Sequence, residues 1–192
     1  MDIKRKSMKL SWLLRHGAME AGVTMDEAGW VPVGEVLAAV RMSRASLERV
    51  GAENNKQRLQ LEGDRIRCSQ GHSLEGTPVT REALEASWQV VRRATILVHG
   101  TSLDAVEGIA HAGIRPMRRT HVHLAESAHS HVGKRANVAV LLHVDPTRVD
   151  GLWVSPNGVW LTRFVPPAAL VGFEACTRRA REASDRIAAW LE

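Results

Sequence analysis

The chain is predicted to be an α+β protein built as two lobes, the first helical and closed by a β-hairpin, the second rich in strands. Three features predict this. Apolar residues recur at helical spacing through the first fifty positions, two alternating segments flank Glu62-Gly63-Asp64, and strand-length apolar runs at 95–98, 138–144, 159–161 and 170–173 fill the second half. A length of 192 residues suits one domain or two small ones, each able to bury a modest core. We place the division at 1–92 and 93–192.

Leu10, Leu13 and Leu14, followed by Gly17 and Ala18, form one apolar stripe, so a helix is expected over 6–20 with Gly22 supplying a left-handed end. Trp30-Val31-Pro32-Val33 reads as a short extended segment, and the spacing of Val36, Leu37 and Val40 predicts a helix over 35–41. Ser43 is the expected cap of a third helix reaching Ala52. Arg58 to Leu61 and Arg65 to Ser69 alternate apolar with polar across a glycine turn, the pattern of a hairpin. Helices followed by such a hairpin suggest a winged helix. Residues 75–94 carry turn residues and then a helical pattern around Leu84 and Trp88, and are expected to connect the lobes. In the second lobe a helix is expected over 103–111, and a charged helix over 178–191 has Ile187, Trp190 and Leu191 on its apolar side.

The net charge of +5 and a pI near 9.9 suit an anionic partner. The surplus is spread evenly, with 15 Lys and Arg against 12 Asp and Glu over 1–94, and 11 against 9 over 95–192. There is no basic tail, so an anion site must be built from particular arginines. Cys68 and Cys176 are too few and too far apart for a disulfide framework or zinc ribbon, and read as small buried residues of a reducing compartment; a cytoplasmic location is expected. Lys4-Arg5-Lys6 before Met8 to Leu14 superficially resembles a signal peptide, but Arg15 and His16 cut the apolar run short and Glu20 follows. No run approaches the roughly twenty apolar residues that cross a bilayer. We expect a soluble protein with no membrane partner and no obligate protein partner.

The run His99-Gly100-Thr101, followed by Arg119 and His121-Val122-His123-Leu124, carries the chemistry of the second half. Histidines two apart on a strand share a face, and a short apolar strand ending in His-Gly-Thr frees backbone N–H groups for a ligand, which suits a nucleotide pocket. The first half offers Arg15-His16, Asn54-Asn55-Lys56-Gln57-Arg58 and Gln70-Gly71-His72-Ser73.

Taken with Gly29 to Val33, Val132 to Arg135 and Ser155 to Thr162, these segments resemble the RNA 2′-phosphotransferase family, in the right order over roughly residues 5–176. Asn157-Gly158-Val159-Trp160-Leu161-Thr162 and Gln70-Gly71-His72-Ser73 are its most distinctive parts. Leu59 stands where the family usually has phenylalanine, Ala125 where serine is common, and the stretch after Arg135 lacks the usual glycine. The resemblance implies a winged-helix RNA-binding lobe joined to an NAD-binding lobe of the ADP-ribosyltransferase fold. The implied activity uses NAD+ as a consumed co-substrate to remove an internal 2′-monophosphate from RNA. The RNA phosphate attacks the nicotinamide ribose carbon and expels nicotinamide; the neighbouring ribose hydroxyl then attacks phosphorus, leaving 2′-OH RNA and ADP-ribose cyclic phosphate.

By the same resemblance Arg15, His16, Arg58 and Arg119 are the expected catalytic set, since negative charge concentrated on phosphorus oxygens calls for guanidinium forks. Adjacent residues on an α-helix diverge by about 100°, so Arg15 and His16 share one ligand only at the edge between their faces. His99, Gly100, Thr101 and His123 are expected to hold the dinucleotide, with Ser155, Asn157 and Gly158 lining the same pocket. Val159 takes the place of the catalytic glutamate of protein-modifying relatives, which suits a nucleophile that is already an anion. Lys56, Arg65 and Arg67 are candidate contacts to RNA backbone, although a charged hairpin is usually a wet surface. Trp30, Trp153 and Trp160 are more readily core residues than base-stacking ones. His121, His123, His129 and His131 could be read as a metal cluster, yet no nearby cysteine supports zinc, and no metal is expected. Two rival readings are an ADP-ribosyltransferase that stops after the first step and an NAD-sensing nucleic-acid-binding module.

Overall fold

The computed structural model describes residues 3–53, 57–92, 95–127, 130 and 138–192. Helices and antiparallel strands both contribute, the expected α+β mixture. Internal contacts divide the chain into two compact units, Met1–Trp88 with Arg118–Thr120, and Gln89–Met117 with His121–Glu192. The segment bearing Arg119 therefore packs with the first unit although it lies in the second half of the sequence.

The first unit opens with α1, Ile3–Trp12, which runs into a π-helical turn over Leu13–Gly17. The helix thus ends short of residue 20, and the chain turns over to Gly22, left-handed at φ 64° as expected. Gly17 gives the Trp12 ring its seat, because a Cβ there would lie 2.4 Å from the ring. An i→i+5 turn brings residues five apart into register, and the Trp12 indole lies across the bare Cα.

β1, Val31–Pro32, leads into α2, Val33–Val40, which stops at left-handed Arg41, and then α3, Arg44–Ala52. Ser43 caps α3 as expected, its hydroxyl accepting the Ser46 N–H at 3.3 Å. β2, Leu59–Glu62, and β3, Arg65–Cys68, form the expected hairpin with Gly63 at φ 57°, and β1 flanks β3 to give the antiparallel order β1-β3-β2. Then comes α4, Arg81–Ala86, capped by Thr80. Much of the expected connector is folded into this unit: Trp88 is buried and its indole donates to the Ser69 carbonyl at 2.9 Å. Leu10, Leu14, Val31, Val36, Leu47, Ile66 and Leu84 are buried in the same unit.

The second unit contains β4, Gln89–Val90; β5, Leu97–Thr101; α5, Val106–Ala112; β6, Val122–Leu124; β7, Val140–Val144; β8, Trp153–Val154; β9, Trp160–Thr162; and β10, Leu170–Ala175. It closes with α6, Arg178–Glu182, and α7, Ser184–Leu191, so the expected terminal helix is broken at Ala183. The strands form two antiparallel sheets, β10-β7-β5 and β4-β8-β9-β6, joined by paired bonds between Val98 and Ala125. Leu97, Leu124, Leu142, Val144, Val165 and Ile187 form their shared core. Two-residue strands such as β4 and β8 carry no periodicity and were not foreseeable from pattern. Among the described residues no helix is long and apolar enough to cross a membrane.

His99-Gly100-Thr101 lies at the end of β5, opposite Leu142, Leu141 and Val140 of β7, and β5 is the edge strand of its sheet. Gly100 is bare for packing, since a Cβ there would lie 2.6 Å from Cγ2 of Val138. Arg67, expected on an RNA-facing surface, is only 4% exposed. Its Nε donates to Gln60 Oε1 at 2.8 Å, its Nη1 donates to the Ala28 carbonyl at 3.1 Å and to Ser87 Oγ at 3.0 Å, and its guanidinium lies 4.5 Å from the Trp30 ring centre. It ties hairpin, turn and α4 together. Arg67→Met should lower the unfolding free energy by about 2–3 kcal/mol in urea titrations while leaving the RNA affinity of the folded protein unchanged.

Candidate active site

The first unit gathers the four groups expected to grip a phosphate. Arg15 and His16 sit in the π-helical turn, Arg58 directly precedes β2, and Arg119 lies in the returning segment 118–120. The strand-like run Gly71-His72-Ser73 organises them. Ser73 N–H donates to the Arg15 carbonyl at 3.0 Å, Ser73 forms a β-bridge with Arg119, and Thr120 N–H donates to the His72 carbonyl at 3.0 Å. Arg81 Nε, from α4, holds the Thr120 carbonyl at 3.0 Å. The carbonyls and amides at the end of a helix need such outside partners, and the 73–76 loop supplies them, Met19 N–H reaching Gly76 O at 3.1 Å.

Gly71 is required where it stands. It is left-handed at φ 89°, and a Cβ would lie 3.2 Å from both Cζ and Nε of Arg15, whose guanidinium therefore rests on a bare backbone. The fully buried Cys68 thiol faces Arg15 and Arg58; burial raises its pKa, and the two guanidinium groups oppose that rise. Among the described residues Nε and Nη2 of Arg15 are buried with no oxygen or nitrogen acceptor, only the weakly accepting Cys68 sulfur standing by. Two desolvated charged donors without an acceptor are costly, and a bound oxyanion would satisfy both.

His16 is oriented by Ser73. Ser73 Oγ donates to the Glu75 carbonyl at 2.6 Å, which leaves its lone pair to accept from His16 Nδ1 at 3.1 Å. The neutral imidazole is thereby held as the Nδ1–H tautomer with Nε2 as the second functional atom. Desolvation, then the charges of Arg15 and Arg119, lower the His16 pKa below the ordinary 6.5. Burial and Arg15 likewise lower the Arg58 pKa, although a guanidinium stays charged at any working pH. Arg15, His16 and Arg58 line one open cleft of about 250 Å³ together with Ser7, Met8, Ser11 and Trp12.

The second unit carries the residues expected to hold a dinucleotide. His99 Nδ1 donates to the His123 carbonyl at 3.0 Å, so the contact between β5 and β6 fixes the ring's orientation. It is the His123 backbone, not its ring, that makes this contact. Thr101 is buried at the end of β5. Ser155, Asn157 and Gly158 form the turn between β8 and β9: Gly158 N–H donates to the Ser155 carbonyl at 2.8 Å, Val159 N–H to Ser155 Oγ at 3.2 Å, and Gly158 takes φ 75°. Ser155 Oγ lies 2.9 Å from Asn157 Oδ1, so both polar side chains brace the turn. His121 is buried with its ring edge-on to Trp153 at 5.9 Å. Trp160 donates to Glu126, and Trp30 lies under Arg65 and Arg67.

Arg65 is exposed beside Glu62. Lys56, Arg135, His129 and His131 lie outside the described residues, among which no group of three or more side chains could hold a metal. Spacing did not reveal the parts played by Gly71, Ser73 and Trp12. Gln70-Gly71-His72-Ser73 stood out as a motif, but its service to distant arginines is tertiary.

Buried guanidinium donors beside an oriented imidazole make a cationic cluster with the donor chemistry that oxyanions require. The sequence model described as RNA 2′-phosphotransferase, Tpt1 / KptA family, matches residues 2–164. Similar proteins described as probable RNA 2′-phosphotransferases occur in Burkholderia lata, 39% identical over 86% of this chain and 88% of the relative, and in Streptomyces coelicolor, 39% identical over 83% and 90%. One from Streptomyces griseus is 37% identical over 89% of this chain and 98% of its own length. The chain belongs to the RNA 2′-phosphotransferase family and is a transferase.

Gly71→Ala should strain the backbone and displace the Arg15 guanidinium, lowering turnover on the order of 10²-fold, as small misplacements of catalytic groups do. Steady-state rates beside an unfolding curve for the same variant will separate this from loss of fold. A bound anion raises the His16 pKa, so binding takes up a proton and sulfate affinity should increase as pH falls through the depressed pKa of His16, below 6.5. Calorimetry in buffers of different ionisation enthalpy should show this uptake in the native protein and its loss in His16→Asn.

Proposed function

We propose that the chain removes an internal 2′-monophosphate from RNA at the expense of NAD+, giving 2′-OH RNA, ADP-ribose 1′′,2′′-cyclic phosphate and nicotinamide. The observation that carries this reading is the pair of buried, unsatisfied Arg15 donors beside His16 in a chain of this family. We read the first unit, with α1 to α4 and the β1-β3-β2 sheet, as a winged-helix RNA-binding lobe, and the second as an ADP-ribosyltransferase-like lobe. NAD+, when bound, supplies the ADP-ribosyl acceptor for the phosphate and releases nicotinamide.

Arg15, Arg58 and Arg119 bind the 2′-phosphate and neutralise the charge that builds on its oxygens during transesterification. His16, neutral in the free protein, takes up a proton from solvent when the bound anion raises its pKa and then donates from Nε2, and the same atom can pass a proton in the second transfer. Ser73 positions that atom through Nδ1. His99, Gly100, Thr101, His123, Ser155, Asn157 and Gly158 shape the dinucleotide site, and their donor and acceptor chemistry fits NAD+. Arg65 and Lys56 add backbone contacts to RNA. The oriented His16 and the three arginines favour the complete reaction over a transferase that stops at the first step, and a cytoplasmic location suits an enzyme of RNA.

A short RNA with one internal 2′-phosphate, incubated with and without NAD+ while all three products are followed, tests the reading. Nicotinamide release without phosphate removal would overturn it in favour of the shorter reaction, and binding without nicotinamide release in favour of an NAD sensor. Arg119→Ala should slow phosphate removal on the order of 10²–10³-fold and nicotinamide release less. Equal loss of both in stopped-time product analysis would contradict that division.

A further inference from the structure

Trp12 and Ser11 belong to the same cleft as the phosphate-gripping residues but have no task in the reaction so far described. Trp12 is 45% exposed, unusual for an indole beside a functional cleft. One side of its ring is seated on Gly17, where a Cβ would come within 2.4–2.8 Å of three ring carbons. The π-helical turn creates this seat, because Trp12 and Gly17 are five residues apart. The ring is therefore held down without being covered. Ser11 Oγ, one residue earlier, is buried with no hydrogen-bond partner among the described residues, and Met8 is 64% exposed one turn up the helix.

We infer that Trp12 is a stacking platform for the base of the 2′-phosphorylated nucleotide. The inference rests on the proposed RNA substrate. Trp12 is three and four residues from Arg15 and His16, a rise of roughly 5 Å, and its ring leans towards Gly17, so the aromatic face nearest the gripped phosphate is that of the base on the same ribose. A cleft of about 250 Å³ is smaller than the roughly 300–1,000 Å³ that encloses a whole small molecule, and suits one ring laid on its wall. The Ser11 hydroxyl is a partner for a polar edge of that nucleotide. Every base has a π face, so the platform accepts any of the four and gives the enzyme grip without sequence preference.

The test compares two RNAs carrying the same 2′-phosphate, one intact and one whose phosphorylated nucleotide has its base replaced by hydrogen. Trp12→Leu should raise KM for the intact RNA roughly five- to hundred-and-fifty-fold, the range of base–aromatic stacking, with kcat at saturation little changed. On the baseless RNA the native and Leu enzymes should agree, and Trp12→Phe should restore most of the loss. Gly17→Ala, which pushes the ring off its seat, should reproduce the Leu phenotype with the indole still present. An unchanged KM, an equal loss on both RNAs, or a rise in KM for NAD+ instead would overturn the inference. Direct binding of the two RNAs without NAD+, by fluorescence polarisation, decides the platform separately from the reaction: native protein that discriminates between them but turns neither over refutes the proposed function and leaves the platform standing, and no discrimination refutes the platform.

Discussion

Everything at the candidate site depends on backbone contacts that hold like charges close together. Gly71 offers a surface on which the Arg15 guanidinium can lie, Ser73 ties the Arg15 carbonyl and the Arg119 strand, and the Glu75 carbonyl sets the Ser73 hydroxyl that holds His16. A carboxylate in the same place would neutralise the arginines and compete with a phosphate. Peptide dipoles fix positions without cancelling charge, which keeps the field available for an incoming anion.

That arrangement asks for unusual local structure. An α-helix would carry Arg15 and His16 on diverging faces, with Met19 N–H closing onto the Arg15 carbonyl. The π-helical turn widens the helix just there, hands the Arg15 carbonyl to Ser73, and sends Met19 to Gly76. Gly76 is pressed against the His16 carbonyl so closely that no Cβ would fit. Widened turns of this sort are uncommon and persist where the surroundings over-determine them. Here the 71–76 loop provides that constraint, Ser73 N–H on the Arg15 carbonyl and the Gly76 carbonyl on Met19 N–H, and the same turn presents the indole.

Much of the framework was legible in the sequence. Ser43 before α3, the glycine turn of the β2–β3 hairpin and left-handed Gly22 are local decisions made by capping and by φ, and local signals report them well. Arg15, His16, Arg58 and Arg119 were nameable from motif resemblance. Misreadings arose where the deciding contact is distant. Arg67 alternates like a solvent-facing strand residue, yet Gln60, Ala28 and Ser87 close around it.

The sequence by itself determined the inventory and the local turns: an α+β chain, its hairpin, its helix caps, and a set of arginines and histidines suited to phosphate and nucleotide, because propensity and patterning act over a few residues. Only the tertiary structure decided which of those groups meet. Residues 15, 58, 73 and 119 are far apart along the chain, and hydrogen bonds and packing between distant segments, invisible to any local period, select the ones that share a site.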